Sequence, residues 1–388
     1  MKKIGVWFIL ITMIMTMFAP VSYAKEESGP ELVESAKSAI LLERDTGEIL
    51  YEKNSGESLP PASMTKIMTM ILIMEALDEG KLKLNEKVRA SEYAASMGGS
   101  QIFLEPGEEM TVEELLKGVA VASGNDASVA LAERIAGSEA AFVKQMNQKV
   151  EELGLTNTKF QNTTGLPAND HYSTAHDMAV MAKELLKHEQ ITKYTSIYED
   201  YLRKGTDNEF WLVNTNKLVK FYTGVDGLKT GFTREAMYCL TATAKKDDMR
   251  VIAVVMGAES PKDRNADISA MLDYAFNHYE TESLYERHQP VDILKNIRAA
   301  KTKVDVVTSE SVSVLKKKGQ TIENVDEKLV YKKDLTLPIQ KGETVGTLTI
   351  TSNGKPLSKT NVVVNETVEE AGVWTLFKRS MSEMVKQR

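Results

Sequence analysis

Pro60-Pro61-Ala62-Ser63-Met64-Thr65-Lys66-Ile67-Met68-Thr69-Met70-Ile71-Leu72 is the stretch on which the reading of this chain turns. The two prolines halt an extended segment. From Ser63 onward Met64, Ile67, Met68, Ile71, Leu72 and Met74 continue as a thoroughly buried helix to about Leu77. A serine in the first turn of such a helix exposes its hydroxyl at the positive end of the dipole. Lys66, one turn later, falls on the same face. A lysine amine can serve as the base for that hydroxyl once burial and a neighbouring cation have lowered its pKa. The methionines read as core packing, not as a metal or cofactor box.

Alone, Ser-x-x-Lys is a weak signal, because it occurs at Ser22, Ser63, Ser313 and Ser352. Only the copy at Ser63 opens a long apolar helix. Two further motifs follow it in order: Ser123-Gly124-Asn125 at the end of the helical run Leu115 to Ala122, and Lys229-Thr230-Gly231 just before a strand containing Cys239. The five histidines lie outside any Gly-x-Ser-x-Gly elbow, and no HExxH, Cys/His cluster or P-loop is present. What remains is a serine hydrolase whose base is a lysine, with no metal and no cofactor.

Working outward, Ser38–Glu43 and Glu48–Tyr51 read as strands around a turn at Arg44-Asp45-Thr46-Gly47. The region from about Thr111 to Leu186 reads as mostly helical, with capping boxes at Thr111–Glu114 and Thr174–Asp177. Strands return after Phe210, at Cys239–Ala244 and Val251–Met256, and a helix from Ala266 to Asn277 closes the region. Strands, a helical block and strands again predict an α+β fold, an antiparallel sheet packed on helices. From about Val291 short alternating segments at Val304–Val307, Ser311–Leu315, Lys328–Tyr331, Leu335–Ile339, Thr344–Ile350 and Asn361–Val364 predict a small all-β domain, read as a spacer or binding module.

The 388 residues carry 48 Lys plus Arg against 55 Asp plus Glu, a net of −7 without long single-sign blocks, which argues against a nucleic-acid partner. Hydrophobic residues make up 42%, enough for full cores. Lys2-Lys3, the apolar run Ile4–Ala19, Pro20 and Val21-Ser22-Tyr23-Ala24 read as a signal peptide over residues 1–24, the other reading being an uncleaved anchor. The single cysteine, Cys239, reads as a small core residue. At the C-terminus Val373, Trp374, Leu376, Phe377, Met381, Met384 and Val385 share one helical face flanked by Lys378, Arg379, Lys386 and Arg388. Residues 367–388 therefore read as a helix lying in a membrane interface, or else docked on the β domain.

The ordered trio resembles that of the low-molecular-weight penicillin-binding proteins, D-alanyl-D-alanine carboxypeptidases of the S11 peptidase kind. Ser123-Gly124-Asn125-Asp126-Ala127, Phe142-Val143 with Met146-Asn147, Leu153-Gly154-Leu155, Gly165-Leu166 and Ser173-Thr174-Ala175 are similar as well, over about residues 25 to 365. The resemblance implies the penicillin-binding/β-lactamase-like transpeptidase fold over 25–285, with the β domain at 286–366. It implies Ser63 as nucleophile, Lys66 as base, and Ser123 with Asn125 as a hydrogen-bonded wall, Ser123 relaying a proton to the leaving amine. Lys229 and Thr230 would hold the substrate's terminal carboxylate, with Gly231 allowing its backbone close to the strand. The amides of Ser63 and Phe232 would form an oxyanion hole. Arg264 resembles a family arginine near the carboxylate pocket, a helix-start residue being the plainer reading. Peptidoglycan pentapeptides are the implied substrate, β-lactams the implied inhibitors, and the outer face of the cytoplasmic membrane the implied location. No Glu-x-x-x-Asn lies between Asn125 and Lys229 to serve a class A β-lactamase. Cross-link endopeptidase action and an idle wall-binding role stay open beside carboxypeptidase action.

Overall fold

The turn at residues 44–47 closes the hairpin that the sequence predicts. β1 (Ser38–Glu43) and β2 (Ile49–Lys53) pair antiparallel. The Glu43 carboxylate accepts from the amides of Asp45 and Thr46 and from the Thr46 hydroxyl, which fixes the reversal. The computed structural model describes residues 30–296 and 298–386, so the signal-peptide reading of residues 1–24 lies outside the described residues.

After Pro60-Pro61 the chain makes one 3₁₀ turn, Ala62–Thr65, and only then becomes the α-helix α1 (Lys66–Asp78). Ser63 thus sits in the tighter turn ahead of the α-helix, and Lys66 is the helix's first residue. Nearly every side chain of α1 is buried, Lys66 included, so the helix runs through the core with no polar face. The short strands β3 (Lys87–Arg89) and β4 (Glu109–Thr111) pair ahead of α2 (Val112–Ala122), α3 (Asn125–Ala136) and α4 (Glu139–Glu152). The Thr111–Glu114 capping box forms in full. At the start of α5 (Ala175–Leu185) only half of the expected box forms. Thr174 accepts from the Asp177 amide, but the Asp177 carboxylate accepts instead from the amide of Asn157 and the hydroxyl of Thr158.

A hairpin of β5 (Glu199–Leu202) and β6 (Phe210–Val213) precedes the three long strands β7 (Val225–Thr233), β8 (Met237–Lys246) and β9 (Met249–Ala258). With the first hairpin these make one antiparallel sheet of order β2-β1-β9-β8-β7. Lys229-Thr230-Gly231 precedes the Cys239 strand β8 as expected, and itself lies in β7, the edge strand. Helices α1 to α5 cover one face of the sheet in the larger core. α6 (Pro261–His278), capped by Ser260 with proline at its start, covers the other.

The chain continues without a break into β10 (Tyr279–Tyr285), then β11 (Pro290–Lys295), β12 (Lys303–Thr308), β13 (Val312–Lys317), β14 (Val325–Tyr331), β15 (Thr344–Ser352) and β16 (Lys355–Val364). β10 pairs with β13, and the other five form a sheet of order β11-β12-β16-β15-β14 over a third core of valines, isoleucines and leucines. The strand expected at Leu335–Ile339 does not form. Pro338 has no N–H for a ladder, and Ile339 makes only an isolated bridge to Val368. Arg44 and Asp45 at the first hairpin's tip hold this β part, Arg44 donating to the Ser311 hydroxyl at 2.6 Å and Asp45 accepting from the Ser313 hydroxyl at 2.7 Å. Ser313 of the rival Ser-x-x-Lys copy is thus committed to a structural contact.

The last helix, α7 (Val373–Lys386), is tied down through Arg379, which donates to the carbonyls of Ala299 and Ala300. Its Val373, Trp374 and Phe377 remain 84%, 69% and 54% exposed, with the two rings stacked. Among the described residues no helix is long and apolar enough to cross a membrane.

Candidate active site

The three motifs converge from three separate elements. Ser63 comes from the 3₁₀ turn, Ser123 and Asn125 from the joint between α2 and α3, and Lys229-Thr230-Gly231 from edge strand β7. Ser123 ends α2 in the left-handed conformation, φ 64°, and Asn125 opens α3. Across that two-residue joint Asn125 is carried to Lys66.

Lys66 is fully buried, and its Nζ has three neighbours. It donates to Asn125 Oδ1 at 2.6 Å and to the Thr164 carbonyl at 2.8 Å, and lies 3.2 Å from Ser63 Oγ. Asn125 is itself pinned, its Nδ2 donating to the Gly98 carbonyl at 2.6 Å. Burial first, and then the nearby Lys229 charge, hold the Lys66 amine well below the usual lysine range. The hydroxyl of Ser123 is buried and has no hydrogen-bond partner among the described residues.

Lys229 is also fully buried, donating to the Thr230 carbonyl at 3.1 Å, while the Thr230 hydroxyl donates to Thr215 at 2.8 Å. Burial and then the charge of Arg264 bring the Lys229 amine down to about 7. Arg264 is 6% exposed and donates to Asn265 Oδ1 from Nε and Nη2. It is buried in the first turn of α6, the helix-start position, and lies near enough to Lys229 to act on its charge. Phe232 leaves its ring half exposed, stacked on Tyr238 with centroids 4.4 Å apart.

Gly231 has a more immediate reason than room for substrate. A Cβ there would stand 2.7 Å from the Pro61 carbonyl oxygen and 3.1 Å from the Ala62 Cβ, so the glycine lets β7 lie directly against the turn that carries Ser63. Gly165 does the same from the other side. At φ +81° its Cβ would sit 1.8 Å from the Ala62 carbonyl oxygen. The loop holding Gly165 and Thr164 is folded by Asn162, whose Oδ1 accepts from the amides of both and from the Thr164 hydroxyl.

The contributions of Thr164, Gly98 and Thr215 are not legible in the sequence. Two of them act through backbone carbonyls, which any residue type supplies; the Asn162-to-Gly165 turn is the only available signal. His171 bonds Thr65 at 2.8 Å rather than the neighbouring serine. Burial pushes its imidazole down to about 4, so it is a neutral structural group.

Comparison with known proteins agrees with this geometry. The family model for D-alanyl-D-alanine carboxypeptidase matches residues 24–260, and that for the penicillin-binding protein 5 C-terminal domain matches 279–370. The chain is 58% identical to the D-alanyl-D-alanine carboxypeptidase DacF of Bacillus subtilis over 380 residues, 97% of this chain and 98% of the relative. The structure of penicillin binding protein 5 from Haemophilus influenzae matches with a TM-score of 0.67 and 31% identity, covering 87% of this chain and 98% of that one. Penicillin-Binding Protein D2 from Listeria monocytogenes, in its ampicillin-bound form, matches with a TM-score of 0.55 and 32% identity over 64% of this chain and 100% of its own. With Lys66 buried beside Ser63, its antiparallel sheet and its small all-β C-terminal domain, this chain belongs to the S11 family of D-alanyl-D-alanine carboxypeptidases, which are serine hydrolases.

Proposed function

We propose that the chain removes the terminal D-alanine from peptidoglycan stem peptides through an ester formed on Ser63. The observation that carries this is the environment of Lys66. A neutral amine has two N–H donors and one lone pair. With Asn125 Oδ1 and the Thr164 carbonyl taking the donors at 2.6 and 2.8 Å, the lone pair is left for Ser63 Oγ at 3.2 Å. Burial and Lys229 favour that neutral form.

In the proposed reaction Lys229 and Thr230 hold the substrate's terminal carboxylate, with Arg264 behind them. Ser63 Oγ attacks the penultimate carbonyl carbon while its proton passes to Lys66 Nζ. The oxyanion is met by the amides of Ser63 and Phe232, on the turn and on the edge strand that Gly231 holds together. As the C–N bond breaks, the unpartnered Ser123 hydroxyl gives its proton to the leaving amine and is reprotonated from Lys66. Water then attacks the ester with Lys66 again accepting the proton and passing it to Ser63 Oγ as the C–O bond breaks, freeing the shortened peptide and restoring Ser63. A β-lactam would enter by the same attack, its ring amide opening instead of the peptide bond; the ampicillin-bound state of the Listeria protein supports that reading.

The proposed setting is the outer face of the cytoplasmic membrane. Residues 1–24 would direct export, 25–285 would carry catalysis, and 286–366 would space it from residues 367–388 lying in the interface. The exposed aromatic face of α7 supports the last step. The decisive experiment is release of free D-alanine from a peptide ending in D-Ala-D-Ala, together with covalent labelling by a fluorescent penicillin. Both should vanish in Ser63→Ala with the fold retained; labelling that persists in that variant sinks the assignment.

A further inference from the structure

A groove of about 850 Å³ opens beside Ser63, past the contact between Gly165 and Ala62. One wall is apolar, from Pro60, Pro61, Leu166 and Pro167. Its charged lining consists of two carboxylates, Asp170 and Glu235, with no lysine or arginine among the lining residues. Glu235 is exposed and makes no ion pair among the described residues, and Asp170 reaches only out to Lys159 at 3.7 Å. His171 in the same wall stays neutral at pH 7, for burial has pushed it down to about 4. Apolar sides ending in two carboxylates, Glu235 without an ion pair among the described residues and Asp170 with one loose exposed pair, are complementary to an alkyl chain tipped with an ammonium.

The direction of the substrate says which part of it arrives there. Its carboxylate is held at Lys229–Thr230, so its N-terminal part runs the other way along edge strand β7, toward Thr233 and the turn that carries Glu235. Thr230 to Thr233 is three residues of strand, about 10 Å, which is also about three residues of an extended peptide lying beside it. The residue brought to the groove is the third from the substrate's C-terminus.

Resting on the acyl-transfer reading above, we propose that this groove is a specificity subsite for a third residue bearing a free primary amine, with Glu235 and Asp170 receiving the ammonium. Its neutralised counterpart, by acylation of that amine, binds less well. The protein therefore acts preferentially on stem peptides whose side-chain amine has not been consumed by cross-linking.

The test compares Nα-acetyl-Lys-D-Ala-D-Ala with its Nε-acetylated form, by kcat/KM for D-alanine release at low ionic strength. Exposed pairs of this kind support a preference of roughly fivefold for the free amine. The preference should fall toward one in Glu235→Gln with Asp170→Asn, and also at high salt. Because the two peptides are compared within each variant, a general loss of activity cancels. The same ratio read as Kd on Ser63→Ala keeps the subsite testable without turnover. A ratio near one in the unaltered protein, or one that survives the double substitution, overturns the subsite. Absence of D-alanine release from both peptides, with a normal Kd ratio on Ser63→Ala, would instead overturn the catalytic reading and leave the subsite standing.

Discussion

Replacing Asn125 by aspartate changes one atom of the site and tests the whole account of Lys66. The aspartate's Oδ1, now half of a carboxylate, would stay 2.6 Å from Nζ. At an effective dielectric of about 20, a unit charge pair at that distance attracts by about 6 kcal/mol. Much of this is offset. The carboxylate is buried, and its second oxygen now faces the Gly98 carbonyl at the 2.6 Å formerly spanned by an N–H donor. An opposite charge at such range raises a lysine by about one to three pH units net. The sign follows directly: in the proposed reaction Lys66 works as the neutral amine, so stabilising its ammonium moves the acid limb of the pH profile upward. At any pH on that limb acylation falls about 10- to 1000-fold, and it returns as pH is raised. The assay is the rate of fluorescent-penicillin attachment from pH 5 to 10, with thermal melting to check that the variant is folded. A loss of equal size at every pH would mean that Asn125 only positions the substrate. An unchanged profile would mean that Lys66 is not the base.

The alkaline side offers a second test. In the proposed reaction Lys229 grips the substrate carboxylate as the cation, and burial holds it at about 7, so kcat/KM for D-Ala-D-Ala peptides should decline as pH rises through that value in the free enzyme. Arg264→Gln removes a like charge and should carry that decline to higher pH; an unmoved alkaline limb in a folded variant would refute the coupling. Gly165→Ala should cost about 3 kcal/mol or more, read from urea denaturation, since it combines a left-handed backbone with a Cβ 1.8 Å from the Ala62 oxygen. Penicillin labelling should fall with it, because the displaced turn holds Ser63. A chain ended at Gly372 should lose binding to anionic vesicles while keeping D-alanine release; undiminished vesicle binding would refute the role given to α7.

Features set by neighbours in the chain are legible from residue order alone. The Ser63–Lys66 spacing, the Thr111–Glu114 cap and the turn at 44–47 depend on contacts within a few residues, where propensity and hydrogen-bonding types decide the outcome. Strand β7 is harder to see. Val225-Asp226-Gly227-Leu228-Lys229-Thr230-Gly231-Phe232-Thr233 holds an aspartate, a lysine and two glycines, which deplete the β signal, and it forms because β8 and the Ser63 turn close on it from both sides. The segment Leu335–Ile339 misleads in the opposite sense, apolar enough for a strand but interrupted by Pro338.

The sequence by itself determined which residue types were available for acyl transfer and in what order they came: a serine with a lysine one turn away, Ser123-Gly124-Asn125 and Lys229-Thr230-Gly231. Only the tertiary structure decided that Lys66 has the surroundings of a base. Its acceptors lie 59 and 98 residues further along the chain, and the charge that disfavours its ammonium comes from β7. A lysine's basicity depends on solvent excluded and charges gathered around it, and these are properties of packing that no local pattern of residues specifies.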